Sequence, residues 1–352
     1  MNLIRVMPAE GIMRSSSGGR IRGRPIILVV FVLLSLFPLA AEDKAVIVYT
    51  YDSFVADWGP GPAIAPLFEK ATGIKVQFVS KGDGGQLLSS LLLEKNRPQA
   101  DVALGLDNFL APKALASGLF AAYSPAGLDA IPAALRFDAT NRLIPFDYGH
   151  FAIIWDSLKL PNPPRSLEDL TKPEYAKKLI LMDPRTSTPG LGFLAWTEAV
   201  FGPAWKDYWA RLRPSVLAMT PGWDAGYGLF TNGEAPLVLS YTTSPAYHKE
   251  VDKTDRYKAL EFSDGHIAEI EVAGILAGAP HLSNAKKFMD FLISLECQNK
   301  LPLTQWMYPA NAAVVLPDSY SAALRPSKTV SIDPGRPAAD AVEAAEILSS
   351  GK

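Results

Sequence analysis

"AVIVYTYDSFVADWGPGPAIAPLFEKATG" (residues 45–73) opens as a strand and closes as a helix, and what joins the two decides how the chain is read. Val46, Ile47 and Val48 are β-branched and apolar, as a buried strand requires. "PAIAPLFEKATG" reads as a helix stopped by Gly73. Between them stand Tyr49, Tyr51, Phe54 and Trp58, interleaved with Asp52 and Asp57 and followed by Gly-Pro-Gly-Pro. Such a loop can neither coil nor pair, so it is either packed tightly or one wall of a pocket.

The strand–helix unit then recurs. "IKVQFVS" (74–80) passes through "KGDGG" into "QLLSSLLLEK", and "ADVALGL" (100–106) precedes "NFLAPKALASGLF". Beyond "RLIPFDYGHFAIIWDS" (142–157) the pattern restarts, with a long helix from about Pro189, strands at "APLVLSY" and "HIAEIEVAGIL", and a late helix at "NAKKFMDFLISLECQ". Repeated units of this kind predict an α/β fold with mostly parallel sheets. The length predicts two lobes with a cleft between them. The expected division is 44–147 for the first lobe, 148–272 for the second, and 273–352 for the return to the first lobe and the tail. The crossovers then lie near Tyr148 and Ala273.

Residues 1–24 carry five arginines against Glu10, and "PIILVVFVLLSLFPLAA" follows. A basic start, a short apolar run and small residues at its end predict a secretory signal peptide over 1–41, rather than an uncleaved anchor. No Cys follows the run, which argues against a lipoprotein anchor. Removing five arginines and one glutamate takes the net charge from −2 to −6, an argument against nucleic acid as a partner. Cys297 is the only cysteine, so no internal disulfide forms, and the expected compartment is a bacterial periplasm.

In parallel sheets, ligands gather beyond the carboxyl ends of strands. Six loops fit that position: 49–62, 80–85, 182–190, 220–228, 240–248 and 303–309. Each mixes aromatic, hydroxyl or acidic residues with Gly or Pro. Catalytic and metal motifs do not turn up: the four histidines lack ligand spacing, and no GxSxG or GxxxxGK occurs. Cys297 sits beside Leu292, Ile293 and Leu295 in an amphipathic helix and reads as a buried, inert thiol.

"YTYDSFVADWGPGP", "ADVALGLDN", "PFDYG", "DPRTSTPGLG", "GLFTNGEAPLVLSYTTSPAYH" and "WMYP" together resemble the periplasmic thiamine-binding proteins of bacterial ABC transporters. The resemblance runs from about Val46 to Pro317. It implies a type 2 periplasmic-binding-protein fold: two lobes, each with a mixed, mostly parallel sheet, and a ligand cleft between them. It also implies a non-enzymatic monomer that carries thiamine, thiamine monophosphate or thiamine diphosphate to the permease and ATPase of an importer, without a cofactor.

Thiamine has a permanently cationic ring, and aromatic faces hold such a cation at about 0.5–2 kcal/mol each. The resemblance implies that Tyr51, Trp58, Trp223, Tyr241, Tyr247 and Trp306 form that cage. It places Asp83 as the acid, with Gly84 allowing close backbone approach; a helix cap is the other reading of Asp83. Ser187 and Thr188 open a helix beside Pro189 and offer donors for a hydroxyl or phosphate arm. Thr242, Thr243 and Ser244, with Pro245, are expected to serve the same arm. Asp147 is left between cleft and hinge, and Arg185 between a phosphate and Asp183. Among the rivals, a thiaminase-like enzyme needs a cleft cysteine. A ferric-ion binder calls for paired tyrosines, a polyamine binder for more cleft acids, and an adhesive protein does not account for the loop chemistry.

Overall fold

Two long strands at the centre of one sheet carry the architecture. The computed structural model describes residues 45–350; the expected signal peptide lies outside the described residues. The strands are β1 (Ala45–Thr50), β2 (Lys75–Ser80), β3 (Val102–Asp107), β4 (Phe120–Ala121), β5 (Ile144–Asp156) and β6 (Leu179–Met182). They continue as β7 (Val216–Thr220), β8 (Leu237–Tyr241), β9 (Tyr257–Ala259), β10 (His266–Leu276), β11 (Tyr308–Pro309) and β12 (Thr329–Val330). The sheet order is β2-β1-β3-β10-β5-β8-β6-β7, and the short strands pair with the two central ones, β4 and β12 with β10 and β9 and β11 with β5.

Both wings are parallel, β2-β1-β3 on one side and β8-β6-β7 on the other. The centre is antiparallel, because β10 returns late in the chain to sit between β3 and β5. β5 pairs with β10 up to His150 and with β8 from Phe151 onward. One strand therefore belongs to both wings, and it changes partner between His150 and Phe151. The sheet is mixed, as expected.

The helices are α1 (Asp52–Val55), α2 (Pro60–Thr72), α3 (Gly84–Leu93), α4 (Ala111–Ala116), α5 (Thr188–Phe201) and α6 (Trp205–Leu212). They are followed by α7 (Trp223–Thr231), α8 (Ser244–Glu250), α9 (Leu282–Leu292), α10 (Leu295–Gln298) and α11 (Arg336–Ser349). The first wing is covered on both faces, as parallel strands require. Val46, Val48, Val102 and Leu104 pack with Ile64 and Phe68 of α2 and Phe288 of α9. Tyr49 and Ala103 point the other way, toward Leu87, Leu88 and Leu91 of α3. The period of two along each strand sorts the core into these layers. The second wing packs on Trp196 of α5 and Trp205, Tyr208 and Trp209 of α6. α9 lies against the first wing, whereas the last helix, α11, lies on α5 and α6.

Candidate ligand-binding site

A cleft of about 430 Å³ opens where the ends of β1, β2, β6, β7 and β8 meet. Small-molecule sites typically occupy roughly 300–1,000 Å³. Tyr51, Trp58, Asp83, Thr188, Trp223, Tyr241, Ser244, Tyr247 and Trp306 line it, so nine of the residues singled out from sequence share one wall or another.

The aromatic walls are braced from behind. Trp223 begins α7 and stacks on Tyr227 at 4.8 Å and 19°, and its indole Nε1 donates to Ser240 Oγ at 2.8 Å. Tyr227 in turn meets His248 Nε2 at 2.8 Å, and His248 Nδ1 meets Asp252 at 2.7 Å. Across the cleft Trp58 stands edge-on to Trp223 at 6.3 Å and remains 45% exposed. Tyr247 and Trp306 meet edge to face at 5.3 Å. Trp306 holds a φ of 61°, a left-handed conformation that an aromatic residue rarely adopts and that fixes where its ring sits.

Asp83 is the N-cap of α3 in a full capping box: its amide donates to Gln86 Oε1, and its carboxylate accepts from Gly84 N–H at 2.6 Å. The same carboxylate accepts from Ser187 Oγ at 2.9 Å, Thr188 N–H at 3.3 Å and Trp223 N–H at 3.0 Å. The amino ends of α3, α5 and α7 thus converge on one side chain, and every close partner is a donor. Helix amino ends favour an anion there. Burial pushes the carboxyl up, and the bonds from Gly84, Trp223, Ser187 and Thr188 restrain the rise. The cap reading and the cleft reading of Asp83 are both true of its geometry.

Several expected residues do other work. A Cβ on Gly84 would stand 2.1 Å from Thr188 Oγ1, so this glycine lets α3 approach α5 rather than opening space in the cleft. Ser187 is buried and its hydroxyl goes to Asp83. Thr242, Thr243 and Pro245 are buried behind the wall, with Thr243 Oγ1 3.8 Å from Met307 Sδ, and only Ser244 of that loop's hydroxyls reaches the cleft. Thr188 Oγ1 is buried without a partner at the cleft edge. Arg185 pairs with Asp183 through Nε at 2.9 Å and Nη2 at 2.6 Å.

Glu271, Gln305 and Met307 also line the cleft, and sequence reading passed over them. Tyr51 donates its hydroxyl to Glu271 Oε2 at 2.9 Å, and Gln305 Nε2 donates to the same oxygen at 3.2 Å. Asp147 is fully buried beneath this floor, beside Glu271. The spacing of Glu269 and Glu271 in "HIAEIEVAGIL" was the available signal: two acids on one face of a strand otherwise apolar.

Cys297 lies in the core with Phe288 and Leu292, outside the cleft, and burial pushes its thiol far up. It cannot serve as a cleft nucleophile. Among the described residues no group of three His, Cys, Asp or Glu side chains could hold a metal ion.

The profile of the bacterial extracellular solute-binding protein family matches residues 97–327. The chain belongs to that family. It is 46% identical over 310 residues to a thiamine-binding periplasmic protein of Brucella abortus, covering 87% of this chain and 91% of that one. A solved periplasmic thiamin binding protein superposes with a TM-score of 0.82 at 42% identity, covering 87% of this chain and 95% of the other. A ferric ion-binding protein of Pasteurella haemolytica shares the fold, with a TM-score of 0.70, at only 19% identity over 87% of this chain and 97% of its own. These relatives are binding proteins, and the role of the chain is solute binding rather than catalysis.

Proposed function

We propose that this protein captures thiamine outside the cytoplasmic membrane and delivers it to an ABC importer. The observation that carries the reading is the chemistry of the cleft: six half-buried or buried aromatic rings, with the half-buried Asp83 and the buried Glu271, face one cavity of small-molecule size. Aromatic faces attract a delocalised cation, Asp83 sets a negative charge beside them, and Glu271 offers an acceptor on the cleft floor. The close thiamine-binding relatives support the same ligand.

The arm of the ligand is less constrained. Asp83 already fills the amino ends of α5 and α7, where a phosphate would otherwise sit. The unpartnered Thr188 hydroxyl at the rim suits an alcohol or a single phosphate oxygen. Free thiamine is therefore the form the cleft favours over its phosphates. Export through the amino-terminal leader, a periplasmic location and release to a permease with its ATPase complete the proposal.

Isothermal titration of ligand-stripped protein with thiamine and with a neutral analogue lacking the quaternary nitrogen tests it. Tight one-to-one binding of thiamine and much weaker binding of the analogue are expected. Equal affinities would overturn the cation reading, and no binding of thiamine would overturn the whole.

A further inference from the structure

A row of acids lies beneath the cleft. β10 lies between β3 and β5, and its register sets Glu271 directly opposite Asp107 on one side and Asp147 on the other. Residues directly opposite in antiparallel pairs point to the same face. Glu269, two residues along β10, points there as well. The ladder slips beside Glu271 on both sides, after Glu271 against β5 and after Val272 against β3. Bulges of this kind re-aim side chains near functional sites.

Like charges directly opposite one another repel, and all four carboxylates are buried. Both oxygens of Asp147 and of Glu269 lack a hydrogen-bond partner, as does Oδ2 of Asp107. Glu271 alone of the four lines the cleft, with a residual exposure of 6%. The groups that face it are Asp107 from β3, Asp147 from β5, Glu269 from its own strand, Tyr51 beyond β1, Asp83 at the start of α3 and Tyr241 from β8, with neutral Gln305 beside them. These are acids and phenols. Four such carboxylates cannot all be ionised in so dry a place, so they share protons.

We propose that Glu271 is the counter-charge an organic cation meets on the cleft floor, and that the acid row gives up a proton to solvent when the cation arrives. The exchange balances: a neutral carboxylic acid and a cation become a carboxylate–cation pair, and the proton leaves to buffer. The proposal rests on the thiamine reading of the same cleft and adds a residue and a coupling to it. The pair does not form at Asp83, whose oxygens already accept four hydrogen bonds. Burial raises Glu271 to about 8, against hydrogen bonding from Tyr51 and Asp147 and with the charges of Asp107 and Asp83 adding to the rise, so protons are there to lose at neutral pH.

Titration calorimetry of the ligand-stripped protein with thiamine, in two buffers of different ionisation enthalpy near pH 7.5, counts the protons directly. That pH lies above the range in which the ligand's own aminopyrimidine protonates. Release of between about 0.3 and 1 proton per thiamine is expected, with affinity rising as pH rises. Glu271→Gln should bind more weakly and release close to none. Tyr51→Phe keeps the ring, removes the hydroxyl that favours ionised Glu271, and should release more than the parent protein. Binding with a buffer-independent enthalpy and a flat pH profile would overturn the proposal while leaving the thiamine reading intact. So would undiminished proton release in Glu271→Gln. Absence of thiamine binding in every buffer would instead overturn the reading beneath it.

Discussion

Asp83 and Glu271 face the same cleft, and their surroundings are opposite. Asp83 is ringed by N–H and O–H donors from the amino ends of three helices. Glu271 stands in a row of other acids, and no backbone N–H is among the groups that favour its charge, which are the Tyr51 phenol, the Gln305 amide and the Asp147 carboxyl. The residue type is almost the same, yet one position fixes a charge and the other leaves it negotiable. What differs is the neighbouring backbone: helix ends present unpaired donors, while a sheet interior presents none to the face of its side chains.

Removing the charge from each side chain should separate the two positions most strongly. Asp83→Asn leaves donors from α3, α5 and α7 facing an amide, and should lower stability by about 3 kcal/mol. Glu271→Gln relieves repulsion and should leave the ligand-free protein as stable or more so. Urea denaturation of both variants decides it; equal losses would mean that the two acids play the same structural part.

A smaller effect separates them by pH. Glu271 has its proton affinity raised in the folded chain, to about 8 from an ordinary 4.5. Below the ordinary value both folded and unfolded chains hold the proton, so this group has no effect on stability. As pH climbs toward 8 the unfolded chain ionises first, and stability is lost across that window. Melting temperatures of the ligand-free protein should therefore fall between about pH 5 and 8, and Glu271→Gln should flatten the fall by a few degrees. A slope unchanged by the substitution would remove Glu271 as its source.

The aromatic wall offers the finest test. Trp223→Leu keeps an apolar surface but loses the negative face, and should weaken thiamine binding by about 1–2 kcal/mol, five- to thirtyfold. A neutral analogue should lose much less in the same double cycle. Trp58→Leu, at a ring that is 45% exposed, should change the thiamine constant less than about threefold. Equal losses for charged and neutral ligands at Trp223 would reduce the wall to packing.

The Asp83 side of this comparison was legible in the sequence, and the Glu271 side was not. Asp83 announces itself locally, in a Gly-rich turn between a strand and a helix. Tyr51, Trp223 and Tyr247 likewise lie in or beside post-strand loops whose Gly and Pro mark them. The acid row is assembled by register between β3, β5 and β10, segments more than a hundred residues apart in places, and no local pattern encodes register. The hydroxyl-rich run at 242–244 misled for a related reason. Loop composition suggests exposure, but the entry of α8 turns Thr242 and Thr243 into the core and leaves only Ser244, itself buried, at the cleft lining.

The late insertion of β10 has a consequence for how the chain is made. Until residue 276 has been synthesised, β3 and β5 each present an open edge where β10 will sit. The first wing cannot close on its own, however early its strands and helices form. Sheet closure waits on contacts between segments distant in sequence, which slows folding and keeps the growing chain open. Exposed strand edges in that interval are the places where a holding chaperone would have most to cover.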